Sequence, residues 1–111
     1  MPKLVWLNGA VTALEESTVS SSDHSFLYGD GLFEGIRFYD KRIYLLDEHL
    51  KRLYFGINYL GFKMPMPIET LRATVIETCR QADLPDGYIR LNVTRGTGLG
   101  LDPSKIDDRA N

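Results

Sequence analysis

A single cysteine, Cys79, is all the thiol in this 111-residue chain, which excludes an internal disulfide and a zinc site built from several cysteines. Histidine is nearly as scarce. His24 and His49 stand far apart in the sequence, and with so few ligands the pattern offers neither a metal cluster nor a nucleophile triad. His24 reads as a structural residue of a loop. Charge of one sign is also missing: 13 basic and 15 acidic residues leave a net charge of −2, which argues against nucleic acid or an anionic membrane as the main partner. No apolar run approaches the roughly 18 residues of a membrane span, and the first residues lack a signal-peptide core, so the expectation is a cytoplasmic chain with no membrane partner. Phosphate-loop signatures are absent as well. Gly96, Gly98 and Gly100 recur at spacing two, but no G-K-[ST] follows and no helix pattern succeeds them, so they read as a glycine loop.

What is present is an ordinary globular composition, 43% hydrophobic and 25% charged, in a length that makes one domain able to bury roughly two thirds of its unfolded surface. The densest stretch is Phe26 to Tyr39, FLYGDGLFEGIRFY. Gly29-Asp30-Gly31 favours a tight turn, because glycine accepts positive φ and Asp can bond its own backbone. Alternation after it makes a strand with Phe33, Gly35, Arg37 and Tyr39 on one face and Leu32, Glu34, Ile36 and Phe38 on the other. Gly35 beside Arg37 lets an anionic ligand reach both backbone and guanidinium; the alternative is an aromatic core strand with one salt-bridged arginine.

Upstream, Asn8-Gly9 between two apolar runs is a type I′ hairpin signal, and the serine-rich EESTVSSSDHS reads as a loop. Downstream, Asp40-Lys41 turns the chain into a short strand, Arg42 to Leu45. Asp47 then caps a helix from about Glu48 to Leu60, whose apolar stripe is Leu50, Leu53, Tyr54, Ile57 and Leu60, with Gly61 ending it. Arg52 lies off that stripe, either solvated or aimed at an anion, and solvation is the default reading. A second helix starts at Pro67 or Ile68 and runs to about Ala82 on Ile68, Leu71, Val75, Cys79 and Ala82, with Glu69/Arg72 and Glu77/Arg80 as outer pairs. Cys79 is thereby inert core. Leu84 to Gly87 turns into a strand, Tyr88 to Arg95, with Ile89, Leu91 and Val93 opposite Tyr88, Arg90, Asn92 and Thr94. That polar face is either solvent-exposed or a pocket wall. The fold expected is α+β in two layers, an antiparallel sheet of about five strands with the two helices packed on one side.

YGDGLFEGIR (Tyr28 to Arg37), EHLKRL (Glu48 to Leu53) and YIRLNVTRGTGLGLDP (Tyr88 to Pro103) together resemble the N-terminal small domain of class IV pyridoxal phosphate (PLP) dependent aminotransferases, fold type IV. Within that family the motifs are most like those of the branched-chain amino acid aminotransferases. The resemblance covers almost the whole chain in order and spacing. It implies a two-domain, homodimeric enzyme that binds pyridoxal 5'-phosphate and moves an amino group from leucine, isoleucine or valine to 2-oxoglutarate. By that resemblance Arg52 holds the cofactor phosphate, and Tyr28, Phe33, Gly35, Arg37, Tyr88 and Arg90 line the pocket for amino acid and 2-oxo acid substrates. It divides the chain into a domain at 1–95 and a glycine-rich loop with the start of an interdomain linker at 96–111.

Two departures refine this. A D-amino acid aminotransferase is expected to carry an Arg-x-His trap after Arg-Gly-Thr, and here the run is Gly98-Leu99-Gly100-Leu101, which disfavours that member. Aminodeoxychorismate lyase, of the same family, stays open as an alternative, as does a stand-alone module that binds a small anion or another chain. The second departure is an absence. The family's Schiff-base lysine lies in a C-terminal domain, and none of the five lysines here (Lys3, Lys41, Lys51, Lys63, Lys105) sits in a matching motif. The expectation is a chain that lacks the catalytic-lysine domain and is inactive alone.

Overall fold

A computed structural model describes residues 3–61 and 63–96. The chain opens with a hairpin, β1 (Leu4–Leu7) and β2 (Ala10–Ala13), in which Leu7 faces Ala10. Asn8 and Gly9 both take positive φ, as the type I′ turn requires. A single 3₁₀ turn, Leu14–Glu16, follows. The expected loop after it contains one short helix, α1 (His24–Tyr28), which the polar sequence did not suggest. Its entry is set locally: the Asp23 carboxylate accepts from the Ser25 amide at 2.8 Å, and Gly29 closes the turn at φ 68°.

The long strand β3 (Gly31–Tyr39) and the short β4 (Arg42–Ile43) form the next hairpin. Its turn residues Asp40 and Lys41 also adopt positive φ. The expected strand to Leu45 stops at Ile43 because Leu45 itself turns left-handed and becomes the helix cap, which replaces the expected Asp47 cap and starts α2 (Leu46–Leu60) two residues early. Asp47 instead lies in the first turn, where its carboxylate accepts from Arg72 of α3 (Ile68–Ala82) at 2.8 Å. That contact takes Arg72 away from the expected Glu69 pairing, whereas the Glu77/Arg80 pair forms at 2.7 Å. β5 (Gly87–Thr94) then runs antiparallel to β3.

The α+β class holds, with one difference: the strands divide into a two-stranded sheet, β1-β2, and a three-stranded sheet in the order β4-β3-β5. The hairpin satisfies its own inner edge and β1 lies against α3, with Trp6 lining a shallow groove together with Thr70 and Thr74. In the larger sheet the period-two pattern is obeyed along β3, with Glu34, Ile36 and Phe38 buried and Phe33, Gly35, Arg37 and Tyr39 exposed. One core joins that buried face to the helices: Ile36 and Val93 from the strands, Leu46, Leu50, Leu53 and Ile57 from α2, and Leu71 and Val75 from α3. Cys79 is half-buried at its margin, and burial pushes its thiol up. So the helices cover one face of the β4-β3-β5 sheet, and the other face is left open.

No helix among the described residues is long and apolar enough to cross a membrane. Of the glycine loop and linker expected over 96–111, all but Gly96 lie outside the described residues.

Candidate functional site

Five residues from two distant stretches meet on the open face. Register places Gly35 opposite Arg90, Arg37 opposite Tyr88 and Phe33 opposite Asn92. Because side chains on one face alternate in both strands, Phe33, Gly35, Arg37, Tyr88 and Arg90 share a single surface. The arginines are organised by aromatic rings. Arg90 lies 4.0 Å from the Phe33 ring centroid and Arg37 lies 5.5 Å from that of Tyr88. Arg90 also donates from Nε to Asn92 Oδ1 at 3.3 Å. Neither Arg37 nor Arg90 has a carboxylate partner among the described residues. Two guanidiniums without counter-ions there, steered by flanking rings, suit a carboxylate ligand that can accept a bidentate fork.

A Cβ at Gly35 would stand 2.5 Å from the Tyr88 hydroxyl, so the close approach at this exposed glycine is made by the Tyr88 ring. Tyr28, the sixth expected pocket residue, comes from α1, where its ring packs on His24 at 4.7 Å between centroids. Through His24 its ring also meets a neighbouring cluster.

That cluster is a polar knot. The Asp30 carboxylate accepts from Arg95 Nε at 2.5 Å and from His24 Nδ1 at 2.8 Å, and Arg95 also donates to the Leu60 carbonyl at 2.8 Å. Thr94 donates to Asp23 at 2.8 Å, and the His24 amide to the Gly96 carbonyl at 2.6 Å. Burial pushes the Asp30 carboxyl up, but the hydrogen bonds and charges of Arg95 and His24 outweigh it and leave the group below its ordinary value. The knot ties α1 and the Gly-Asp-Gly turn to the ends of β5 and α2.

Arg52 is not solvated in the simple sense expected. It sits on α2, on the helix side of the sheet, and grips Glu34 with two bonds, Nε to Oε2 at 2.9 Å and Nη2 to Oε1 at 2.7 Å. His49, one turn earlier on α2, donates from Nδ1 to the same Oε1 at 2.7 Å. Glu34 is only 7% exposed whereas Arg52 is 70% exposed, so the pair runs from the interior to the surface. Hydrogen bonding from Arg52 is the largest influence on the Glu34 carboxyl and, with His49, lowers it against the cost of burial. The sequence alone points to no role for Glu34, His49 or Arg95, and to Asp30 only as a turn residue. Glu34 did carry a signal: it is the one acid on the apolar side of a strand whose other members are Leu32, Ile36 and Phe38.

No group of three or more acidic, His or Cys residues suited to a metal ion occurs among the described residues. The sequence model of the amino-transferase class IV family matches residues 31–110. The chain belongs to that family.

A putative branched-chain-amino-acid aminotransferase of Methanocaldococcus jannaschii is 48% identical over 102 residues, 91% of this chain and 35% of that protein. A D-alanine aminotransferase of Listeria innocua is 30% identical over 83% of this chain and 32% of its own length. Among solved structures, the branched-chain aminotransferase of the thermophilic archaeon Thermoproteus uzoniensis, with norvaline, superposes with a TM-score of 0.77 at 33% identity, over 85% of this chain and 33% of that one. Another branched-chain amino acid aminotransferase, complexed with N-(5'-phosphopyridoxyl)-L-glutamate, superposes with a TM-score of 0.85 at 34% identity, over 93% and 36%. The 4-amino-4-deoxychorismate lyase of Pseudomonas aeruginosa superposes with a TM-score of 0.68 at 36% identity, over 78% and 31%. The chain thus spans about a third of the length of these relatives.

Proposed function

We propose that this chain supplies the substrate-binding sheet face and the cofactor-phosphate arginine of a PLP-dependent aminotransferase acting on branched-chain amino acids, with 2-oxoglutarate as the acceptor. The observation that carries the reading is the open β3-β5 face, where Arg37 and Arg90 lie beside Phe33 and Tyr88 with no carboxylate partner among the described residues. Arg37 and Arg90 attract the substrate carboxylates, Phe33 and Tyr88 shape the compartment for an apolar side chain, and Gly35 keeps room for the Tyr88 ring. Tyr28, on α1, is assigned to the same pocket on the family resemblance alone. The donor set fits the cofactor at one point: Arg52 is a surface guanidinium with one edge pinned by a buried acid, suited to a phosphate. When bound, PLP supplies the electron sink for amino-group transfer, and the lysine that anchors it comes from outside these residues. On this reading residues 1–95 form the ligand-face domain, 96–111 begin a linker, and the chain alone is inactive. The exposed rings of Phe26, Phe55 and Tyr59 are compatible with burial against a further domain or a second subunit of a cytoplasmic homodimer.

The branched-chain preference rests on the 48% identity to the Methanocaldococcus jannaschii relative. The lyase reading has its own support in the 36% identical Pseudomonas aeruginosa structure. Titration of the chain with PLP, followed by borohydride reduction and intact mass, tests the proposal. Non-covalent binding should weaken about tenfold in Arg52→Ala, the loss of one charge-assisted contact, with no stoichiometric adduct on any single lysine. Unchanged binding in Arg52→Ala, or one mapped lysine adduct, contradicts it.

A further inference from the structure

Glu34 is an unfavourable residue where it stands. A carboxylate 7% exposed in the middle strand of the sheet costs free energy unless it is fully bonded, and its side of β3 is otherwise apolar. Its oxygens meet that demand by taking three donors, two from Arg52 and one from His49. His49 and Arg52 are i,i+3 neighbours on α2, so one strand carboxylate holds two side chains from successive turns of the helix.

The geometry of the fork decides what is left over. A guanidinium is a planar array of five donors. Glu34 takes the edge made by Nε and Nη2, so Nη1 and the remaining Nη2 proton form a second edge outside that fork. With the first edge pinned, the plane of the group and the direction of the second edge are fixed, and the side chain stays 70% exposed. A long, unpinned arginine would lose rotamer freedom on gripping an anion; this one has already lost it.

We propose that Glu34, backed by His49, is a positioning residue that presents the outer edge of Arg52 to the cofactor phosphate. This rests on the reading of Arg52 given above. It carries a counter-intuitive sign. Glu34 is an anion close to an anion-binding group, so simple electrostatics says that its removal should tighten phosphate binding. Positioning requires the reverse.

The experiment measures dissociation constants for PLP and for pyridoxal, which lacks the phosphate, on the chain and its variants. Arg52→Ala first tests the underlying reading: its PLP affinity should fall and its pyridoxal affinity should not. Glu34→Gln should then weaken PLP about tenfold, with pyridoxal unchanged, because the charged fork is lost. Glu34→Asp keeps the charge but withdraws the carboxylate, and should weaken PLP as well. Should Glu34→Gln fail to fold, the wild-type chain still decides the question: the Arg52 Nε–H resonance should hold its carboxylate-bonded position throughout a PLP titration followed by NMR. Equal or tighter PLP binding in Glu34→Gln, or release of the Nε–H on adding PLP, overturns the positioning role and leaves Arg52 as a phosphate ligand. No PLP binding by the wild-type chain, or an Arg52→Ala variant that binds as well as wild type, overturns both.

Discussion

Replacing Asp30 by alanine is expected to cost about 3 kcal/mol of folding stability at neutral pH, within the range seen when one member of a buried ion pair is removed. The magnitude follows from burial. Arg95 is 14% exposed and His24 1% exposed, and both direct donors at Asp30 Oδ2. Without the carboxylate, the Arg95 guanidinium keeps its bond to the Leu60 carbonyl but loses its short Asp30 contact in a poorly hydrated site. The loss reaches across the fold, because the knot joins α1, the end of α2 and the end of β5. Its pH dependence has a definite sign. The Asp30 carboxyl lies below its ordinary value of 3.8 in the folded chain, so its contribution is complete above about pH 4 and fades as pH falls through the lower, folded value. Chemical unfolding at pH 7 and pH 3 should therefore show the gap between wild type and Asp30→Ala narrowing in acid. Glu34, also lowered, weakens both proteins in the same region, which is why the comparison is between the two chains at each pH. A gap that is constant or widens in acid contradicts the role given to the ionised carboxylate.

Ile36→Ala is expected to cost about 3–4 kcal/mol, the usual loss for truncating a large aliphatic side chain in a packed core. Ile36 is fully buried on the middle strand, in one core cluster with Leu50, Leu53 and Ile57 of α2. Three strands and two helices share that core, so the cavity has little freedom to collapse. For a domain of this size such a loss is a large share of total stability. Urea unfolding should show a lower midpoint with the slope unchanged. A cost below about 1 kcal/mol would mean that the helices are not packed on this face as described.

Much of this architecture is legible along the chain. The 3.6-residue spacing in α2 and α3 and the two-residue alternation in β3 and β5 are local patterns, and each sorts buried from exposed residues as the structure does. Both faces of β3 can be assigned from sequence. That Phe33, Gly35 and Arg37 lie on the same surface as Tyr88 and Arg90 follows from the family resemblance but not from alternation, because it depends on antiparallel register between strands far apart in the chain. The Arg52–Glu34 fork is invisible for the same reason: nothing in EHLKRL says which acid the arginine will meet. Helix α1 escapes notice because five residues with no apolar period give no signal. Its shape is imposed by the Asp23 cap and by bonds from His24 to Asp30 and Gly96, and only the first of these is local. The hairpin β1-β2 is readable as a hairpin, whereas its separation from the larger sheet reflects packing of β1 on α3.

The most direct test of the account is an NMR titration of the chain with the 2-oxo acid of leucine, following backbone amides and arginine Nε–H groups together. The expected result is saturable shifts confined to the open sheet face, at Phe33, Arg37, Tyr88 and Arg90, while the ion-paired Arg72 and Arg80 on α3 stay silent. Shifts of equal size at Arg72 and Arg80, or no saturable response at Arg37 and Arg90, would mean that this face is a solvated sheet surface and not the substrate-binding side of an aminotransferase.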